Sequence, residues 1–182
     1  VQYVARAGNF LNKGYKYTGA LKVLRTILSY DYLWNNIRIK GGAYGCMCGF
    51  SAVDGDMYFV SYRDPKLKET NAVYENIPEY LKNFTIDEKE LLKRIIGTIS
   101  TLDTPLTPQA SGARSLSIYL AGQTYDDLVK ERDEIINVTQ EDIRALSDLI
   151  RAVLDQGYIC VIGNETAVEE SGELFNEVKN LM

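Results

Sequence analysis

The segment Trp34-Asn35-Asn36-Ile37-Arg38-Ile39-Lys40-Gly41-Gly42-Ala43-Tyr44-Gly45 brings a guanidinium, an ammonium, two adjacent glycines and a phenol into one short stretch. A charged helix end there meets a glycine-rich turn and a strand-opening tyrosine. It is not a phosphate loop: neither G-x-x-x-x-G-K-[ST] nor G-x-G-x-x-G is present, and the glycines precede a strand rather than a helix N-terminus whose dipole could hold an anion. Nucleotide binding is therefore disfavoured. The chain has no histidine, which removes Ser-His and Cys-His nucleophile activation, histidine general-base catalysis and histidine-ligated zinc from its own repertoire. A Ser-x-x-Lys nucleophile spacing is absent as well. Of the three cysteines, Cys46-x-Cys48 is too tight for a zinc knuckle and has no second pair. All three are expected to be small, buried apolar residues in a reducing compartment.

The elements that must position these groups read as α+β. Val1, Tyr3, Ala5 and Ala7 alternate with Gln2, Val4 and Arg6, the period-2 pattern of a half-buried strand. From Gly19 to about Ile39 the spacing of Leu21, Leu24, Leu28, Leu33, Trp34 and Ile37 predicts one long or broken helix, ended by Lys40-Gly41-Gly42. Asp54-Gly55-Asp56 is hairpin chemistry between strands over Ala43–Val53 and Met57–Arg63. Helices are then expected over Leu67–Phe84, after Thr85-x-x-Glu88, over Thr107–Leu120, Tyr125–Ile136 and Gln140–Asp155. A strand at Tyr158–Ile162 and a short C-terminal helix follow. This order is not a regular βα alternation, and the hairpin requires antiparallel pairing, so the expected architecture is an antiparallel sheet packed against a helical layer. With 182 residues, 46% of them hydrophobic, one core suffices, and residues 1–182 are read as a single α+β domain.

Charge bounds the partners. Residues 1–70 carry 10 basic against 5 acidic side chains and the remainder 10 against 20, an acidic balance that argues against a nucleic-acid stripe. The acids at Asp126-Asp127 and from Glu131 to Glu134 are read as solvated helix faces. No apolar run approaches the ~20 residues of a membrane span, and the N-terminus has no signal-peptide pattern. The expected compartment is the cytoplasm, with an organelle matrix open if a longer parent carries a targeting sequence. Three N-x-T triplets, at Asn83, Asn137 and Asn164, are better read as helix caps than as glycan sites, with Thr85 and Thr139 just ahead of helical patterns.

The motifs together resemble the C-terminal domain of the presequence protease branch of the pitrilysin and insulinase family of zinc metallopeptidases. The resemblance runs through the opening strand, Leu33-Trp34, Arg38-x-Lys40-Gly-Gly-Ala-Tyr44-Gly and Ser61-Tyr62-Arg63-Asp64-Pro65, and on to Ile95-Ile96-Gly97-Thr98-Ile99 and Tyr119-Leu120-Ala121-Gly122. It implies a protein of four similar α+β domains in two halves around a closed chamber, in which the first domain holds Zn2+ and this chain is the fourth. The family's H-x-x-E-H motif has no place here for want of histidine, so the chain by itself is expected to be inactive.

The resemblance further implies that Arg38 and Tyr44 reach the catalytic centre. Tyr44 would donate to the developing oxyanion without bringing a competing base, while Arg38 would hold substrate carbonyls with its fork of N–H donors. Gly41 and Gly42 would let substrate backbone come close. Ser61, Tyr62 and Arg63 are expected to position the hairpin, and Lys40 to be solvated. The function so implied is that of a substrate-binding, site-completing domain of a zinc metalloendopeptidase degrading unstructured peptides. Its partners would be unfolded peptides and the N-terminal zinc-bearing half, with neither nucleic acid nor membrane. The competing readings are a noncatalytic scaffold of the same fold and an independent peptide-binding module.

Overall fold

The computed structural model describes residues 1–180. Its four strands, β1 (Gln2–Asn9), β2 (Gly45–Phe50), β3 (Asp56–Asp64) and β4 (Tyr158–Ile162), form one sheet in the order β2-β3-β1-β4 with every pairing antiparallel. The first strand is thus an inner strand. Ala5 faces Val60 on one side and Cys160 on the other, and Val60 in turn faces Met47.

Periodicity predicts that β1 has two faces but not which of them is covered. Gln2, Val4 and Arg6 point into the core, whereas Tyr3 is exposed and Ala5 and Ala7 are half-buried. The covered face holds an arginine whose two Nη groups find acceptors there, while its Nε is buried without one. Arg6 Nη1 bonds Asn71 Oδ1 at 2.8 Å and pairs with Glu75, and Nη2 bonds the Leu154 carbonyl at 2.8 Å. Val4, Met57, Phe59 and Cys48 complete the buried side of the sheet.

One helical layer packs on that side. It begins with α1 (Ala20–Ile27), which continues without a break into two π-helical stretches, Leu28–Tyr32 and Trp34–Ile39. Seven further α-helices run between the hairpin and the last strand, the first six being α2 (Lys68–Glu75), α3 (Ile77–Lys82), α4 (Glu88–Leu102), α5 (Pro108–Leu120), α6 (Tyr125–Ile136) and α7 (Gln140–Ala145). They are followed by α8 (Ser147–Leu154), and α9 (Glu165–Glu169) lies beyond β4. Leu21, Leu24, Leu28 and Ile37 from the first helix meet Phe59, Leu81 and Ile150 in one contiguous core.

The long first helix, the hairpin, and the helix and strand over Tyr125–Ile136 and Tyr158–Ile162 stand as expected. Two predicted helices are each split. The helix over Leu67–Phe84 breaks at Asn76 because Pro78, with no N–H to donate, starts the next helix. Gln140–Asp155 breaks at Leu146, where the buried hydroxyl of Ser147 bonds the Pro78 carbonyl at 2.8 Å. Thr85 caps nothing: Asp87 takes that place, accepting from Glu90 N. Thr139 does cap, in a reciprocal box with Asp142, and Asn164 caps α9 with its own side chain. Asp126, Asp127 and Asp133 are exposed as expected, but Glu131 and Glu134 are half-buried and engaged. Glu131 accepts from Tyr17 Oη at 2.7 Å and Lys22 Nζ at 2.8 Å, and Glu134 from Gly19 N at 2.6 Å, which clamps α6 onto the start of α1.

Because Arg6 ties an inner strand to α2 and α8 at once, Arg6→Ala should lower the unfolding free energy by about 2–3 kcal/mol, leaving Asn71, Glu75 and the Leu154 carbonyl without their donor. Urea unfolding followed by circular dichroism measures this. An unchanged midpoint would make the buried guanidinium dispensable.

Candidate functional site

The two π-helical stretches deliver the signature residues. Spacing of the backbone bonds widens there to i→i+5, as in Lys40 N to Asn35 O at 3.0 Å, a rare geometry often found at functional sites. The helix then ends in a corner built by its two glycines for different reasons. A Cβ on Gly41 would lie 2.3 Å from the Ile37 carbonyl, so only hydrogen fits, while Gly42 adopts φ 84°, the left-handed region that favours glycine. Gly42 N bonds Arg38 O at 3.0 Å and Ala43 N bonds Ile37 O at 3.1 Å, which fixes the exit direction into β2.

Arg38 is exposed on the last turn, with its guanidinium carbon 4.1 Å from the centre of the Trp34 ring. That stack holds the fork in place while leaving its N–H donors outward. Tyr44 continues the β2–β3 ladder through its N–H to the Tyr62 carbonyl at 3.1 Å. Its ring meets Tyr62 edge-on at 5.5 Å, and it is 65% exposed. Among the described residues its hydroxyl has no hydrogen-bond partner. Arg38 and Tyr44 therefore flank one corner without touching each other, and Lys40 is exposed with its ammonium 3.3 Å from Asn36 Oδ1.

The expectation for Ser61, Tyr62 and Arg63 is only part of what the structure contains. Ser61 is buried on the core face, but Tyr62 and Arg63 join the corner. Arg63 sits at φ 49°, the left-handed region, and its guanidinium carbon lies 5.9 Å from the Tyr44 ring and 5.5 Å from Tyr62. The buried carboxylate of Asp64 holds this conformation from behind, accepting from Lys66 N at 2.9 Å and Thr70 Oγ1 at 2.7 Å. No local pattern announces a positive φ at an arginine. The signal that could have found it is Asp-Pro after a strand, which marks a sharp turn at that point.

Beside the corner lies the uncovered face of the sheet. Tyr3, Met47, Tyr58, Tyr62, Tyr158 and Ile162 are exposed on it, and a hollow of about 330 Å³ opens between Ala5, Ala7, Cys160 and Phe175. This corrects one cysteine expectation: Cys160 is exposed here and Cys46 is only half-buried, so Cys48 alone is a core residue. Burial pushes the thiols of Cys46 and Cys48 up to about 11. Among the described residues no group of three or more His, Cys, Asp or Glu side chains could hold a metal ion. Among the same residues no helix is long and apolar enough to cross a membrane.

The sheet and the helical layer form a fold shared with solved domains of known proteins. Among solved structures, a peptidase M16 inactive domain from Pseudomonas fluorescens superposes with a TM-score of 0.60 at 18% identity, covering 88% of this chain and 39% of that one. An inactive peptidase domain from Bordetella parapertussis gives 0.65 at 14% identity, covering 89% of each chain. The chain belongs to the PreP C-terminal domain family, whose model matches residues 1–165. Protein HypA of Clostridium perfringens is 49% identical over the whole chain, and presequence protease 1, chloroplastic/mitochondrial, of Arabidopsis thaliana is 32% identical over the whole chain. The chain spans only 19% and 17% of those two relatives.

Two outcomes check this geometry. Gly42→Ala should cost about 1–2 kcal/mol through backbone strain alone, and Gly41→Ala more, because the carbonyl of Ile37 must move. Thermal unfolding of the two variants ranks them. Iodoacetamide at pH 8 should label Cys160 well ahead of Cys46 and Cys48, whose raised values leave roughly 0.1% thiolate. Peptide mass spectrometry reads the order directly.

Proposed function

We propose that this chain is the domain, spanning residues 1–182, that completes the active site and binds substrate in a zinc metalloendopeptidase of unstructured peptides. The observation that carries this reading is the corner itself: a phenol fixed by Tyr62 and Arg63 with its hydroxyl free, beside a guanidinium held flat on Trp34, both at the rim of an uncovered apolar sheet face. The names of its relatives, presequence proteases among them, support a peptidase parent. On this reading the zinc belongs to the N-terminal half of the parent, where it would polarise the scissile carbonyl. This chain's residues act on the substrate.

Tyr44 Oη donates to the carbonyl oxygen as negative charge develops on it. A neutral phenol suits that task because it gives a hydrogen bond without competing as a base. Arg38 binds neighbouring peptide carbonyls and adds positive potential at the same place. Arg63 and Tyr62 hold the Tyr44 ring, so they are positioning residues. The exposed Tyr58, Tyr158 and Met47 give an extended peptide an apolar surface on which side chains of many kinds can rest. Low sequence preference follows from such a surface.

Steady-state cleavage of an unstructured peptide by the zinc-loaded full-length protein tests this. Tyr44→Phe should lower kcat by roughly 10²-fold, and Arg38→Ala should lower kcat/KM, with zinc content and folding unchanged. Wild-type rates for both variants would make the corner structural. A full-length protein that binds no zinc and cleaves nothing would instead favour the scaffold reading.

A further inference from the structure

A second site lies away from the corner, at the free edge of β2, where α1 and the first π-helical stretch face α4. The cleft there has a volume of about 630 Å³, within the range of small-molecule sites. Arg25, Lys93 and Arg94 line it; Lys93 pairs with Glu90 and Arg94 with Asp31, two carboxylates outside the lining. We propose that this cleft binds the oxyanion group, phosphate or carboxylate, of a small molecule, with Arg25 and Arg94 as its principal donors and Gly97 as its open floor.

Three observations carry the proposal. Arg25 is only partly exposed, yet its side chain makes no hydrogen bond or ion pair among the described residues. Arg94 gives Nη2 to Asp31 at 2.7 Å, but its Nε is buried without an acceptor. A buried N–H donor left unmet is uncommon in folded chains, and this one lies on a residue that lines the cleft. Arg25 from α1 and Arg94 from α4 both line the cleft, and guanidinium groups offer the planar donor geometry that recognises a carboxylate or a phosphate.

The second observation is the lining of hydroxyls. Ser29 contacts the buried Cys48 thiol at 3.5 Å, and Ser100 and Thr101 donate to the Gly97 carbonyl at 2.9 and 3.1 Å. Each retains acceptor capacity and can rotate its proton toward an anion. The third is Gly97 itself. Glycine in the interior of a fifteen-residue helix weakens that helix relative to alanine, and a Cβ at this position would meet nothing within 4 Å. Packing does not explain its absence of a side chain, since the position is exposed and open. Gly97 also falls within Ile95-Ile96-Gly97-Thr98-Ile99, a stretch to which the peptidase reading gives no task.

Calorimetric titration of the purified full-length protein with inorganic phosphate and, separately, with citrate at low salt tests the site. Saturable binding of at least one anion is expected, weakened about tenfold by Arg25→Ala and at least as much by Gly97→Leu, which fills the floor while favouring the helix. Lys66→Ala, an exposed cation outside the cleft, should bind as wild type. Tighter phosphate assigns a phosphoryl-bearing ligand, and tighter citrate a carboxylate. Absence of saturable binding by both anions would overturn the proposal, as would equal weakening by Lys66→Ala. Should Arg25→Ala fail to fold, wild-type binding by folded Gly97→Leu is the overturning result.

Discussion

A guanidinium buried beneath an inner strand sets the terms for this fold. Arg6 lies under the sheet, and its donors reach α2 through Asn71 and Glu75 and α8 through the Leu154 carbonyl. Leaving such a charge in the interior without partners costs several kcal/mol, so the sheet cannot turn its other face inward and the helices cannot slide past it without losing those bonds. The topology adds to the constraint. As the first strand lies between the hairpin and the last strand, β3 and β4 both depend on the register of β1. One polar residue thereby decides which side of the sheet is covered and which is left open for a ligand.

Everything proposed for the open side rests on that choice. With Gln2, Val4 and Arg6 committed to the core, Tyr3, Ala5 and Ala7 must face outward, and with them Tyr58, Tyr62 and Tyr158 on the neighbouring strands. The corner is then aimed by its own backbone. The π-helical turns and the left-handed Gly42 direct Tyr44 along the edge of this face, and the left-handed Arg63 brings a second cation to its ring. A regular α-helix ending in a non-glycine residue would send the chain elsewhere, because Gly41 has no space for a side chain and Gly42 has no freedom to take one without strain.

These particulars explain what could and could not be read from the residues. Strand and helix identity were legible because they rest on local period and turn chemistry, as at Asp54-Gly55-Asp56 and Thr139. The break at Leu146 and the burial of Arg6 were not, since each depends on a partner far along the chain, the Ser147 hydroxyl on the Pro78 carbonyl or Arg6 on Leu154, whereas the break at Asn76 has a local cause in Pro78. The same holds for Glu131 and Glu134. An acid on a helix reads as solvated until the helix that it clamps is in view. At the corner, Arg38, Gly41, Gly42 and Tyr44 were legible as a signature, and Arg63 was not, because a left-handed arginine comes from the buried Asp64 anchor and not from its own type.

Tyr44 is 65% exposed in this chain, and that number bears on what the chain can do by itself. A hydrogen bond offered to a charge in open water competes with water's own donors and contributes about 1 kcal/mol net, whereas a single oxyanion donor in an enclosed site contributes about 3–4 kcal/mol. Holding the phenol on Tyr62 and Arg63 removes its reorganisation cost but does not exclude water. The proposed role therefore requires a second surface to close over the corner, and the short span of this chain on its relatives, 19% and 17%, leaves ample polypeptide to provide one. On that reading the division of labour is physical: this domain supplies a pre-aimed donor and an apolar floor, and enclosure by the rest of the protein gives the donor its strength.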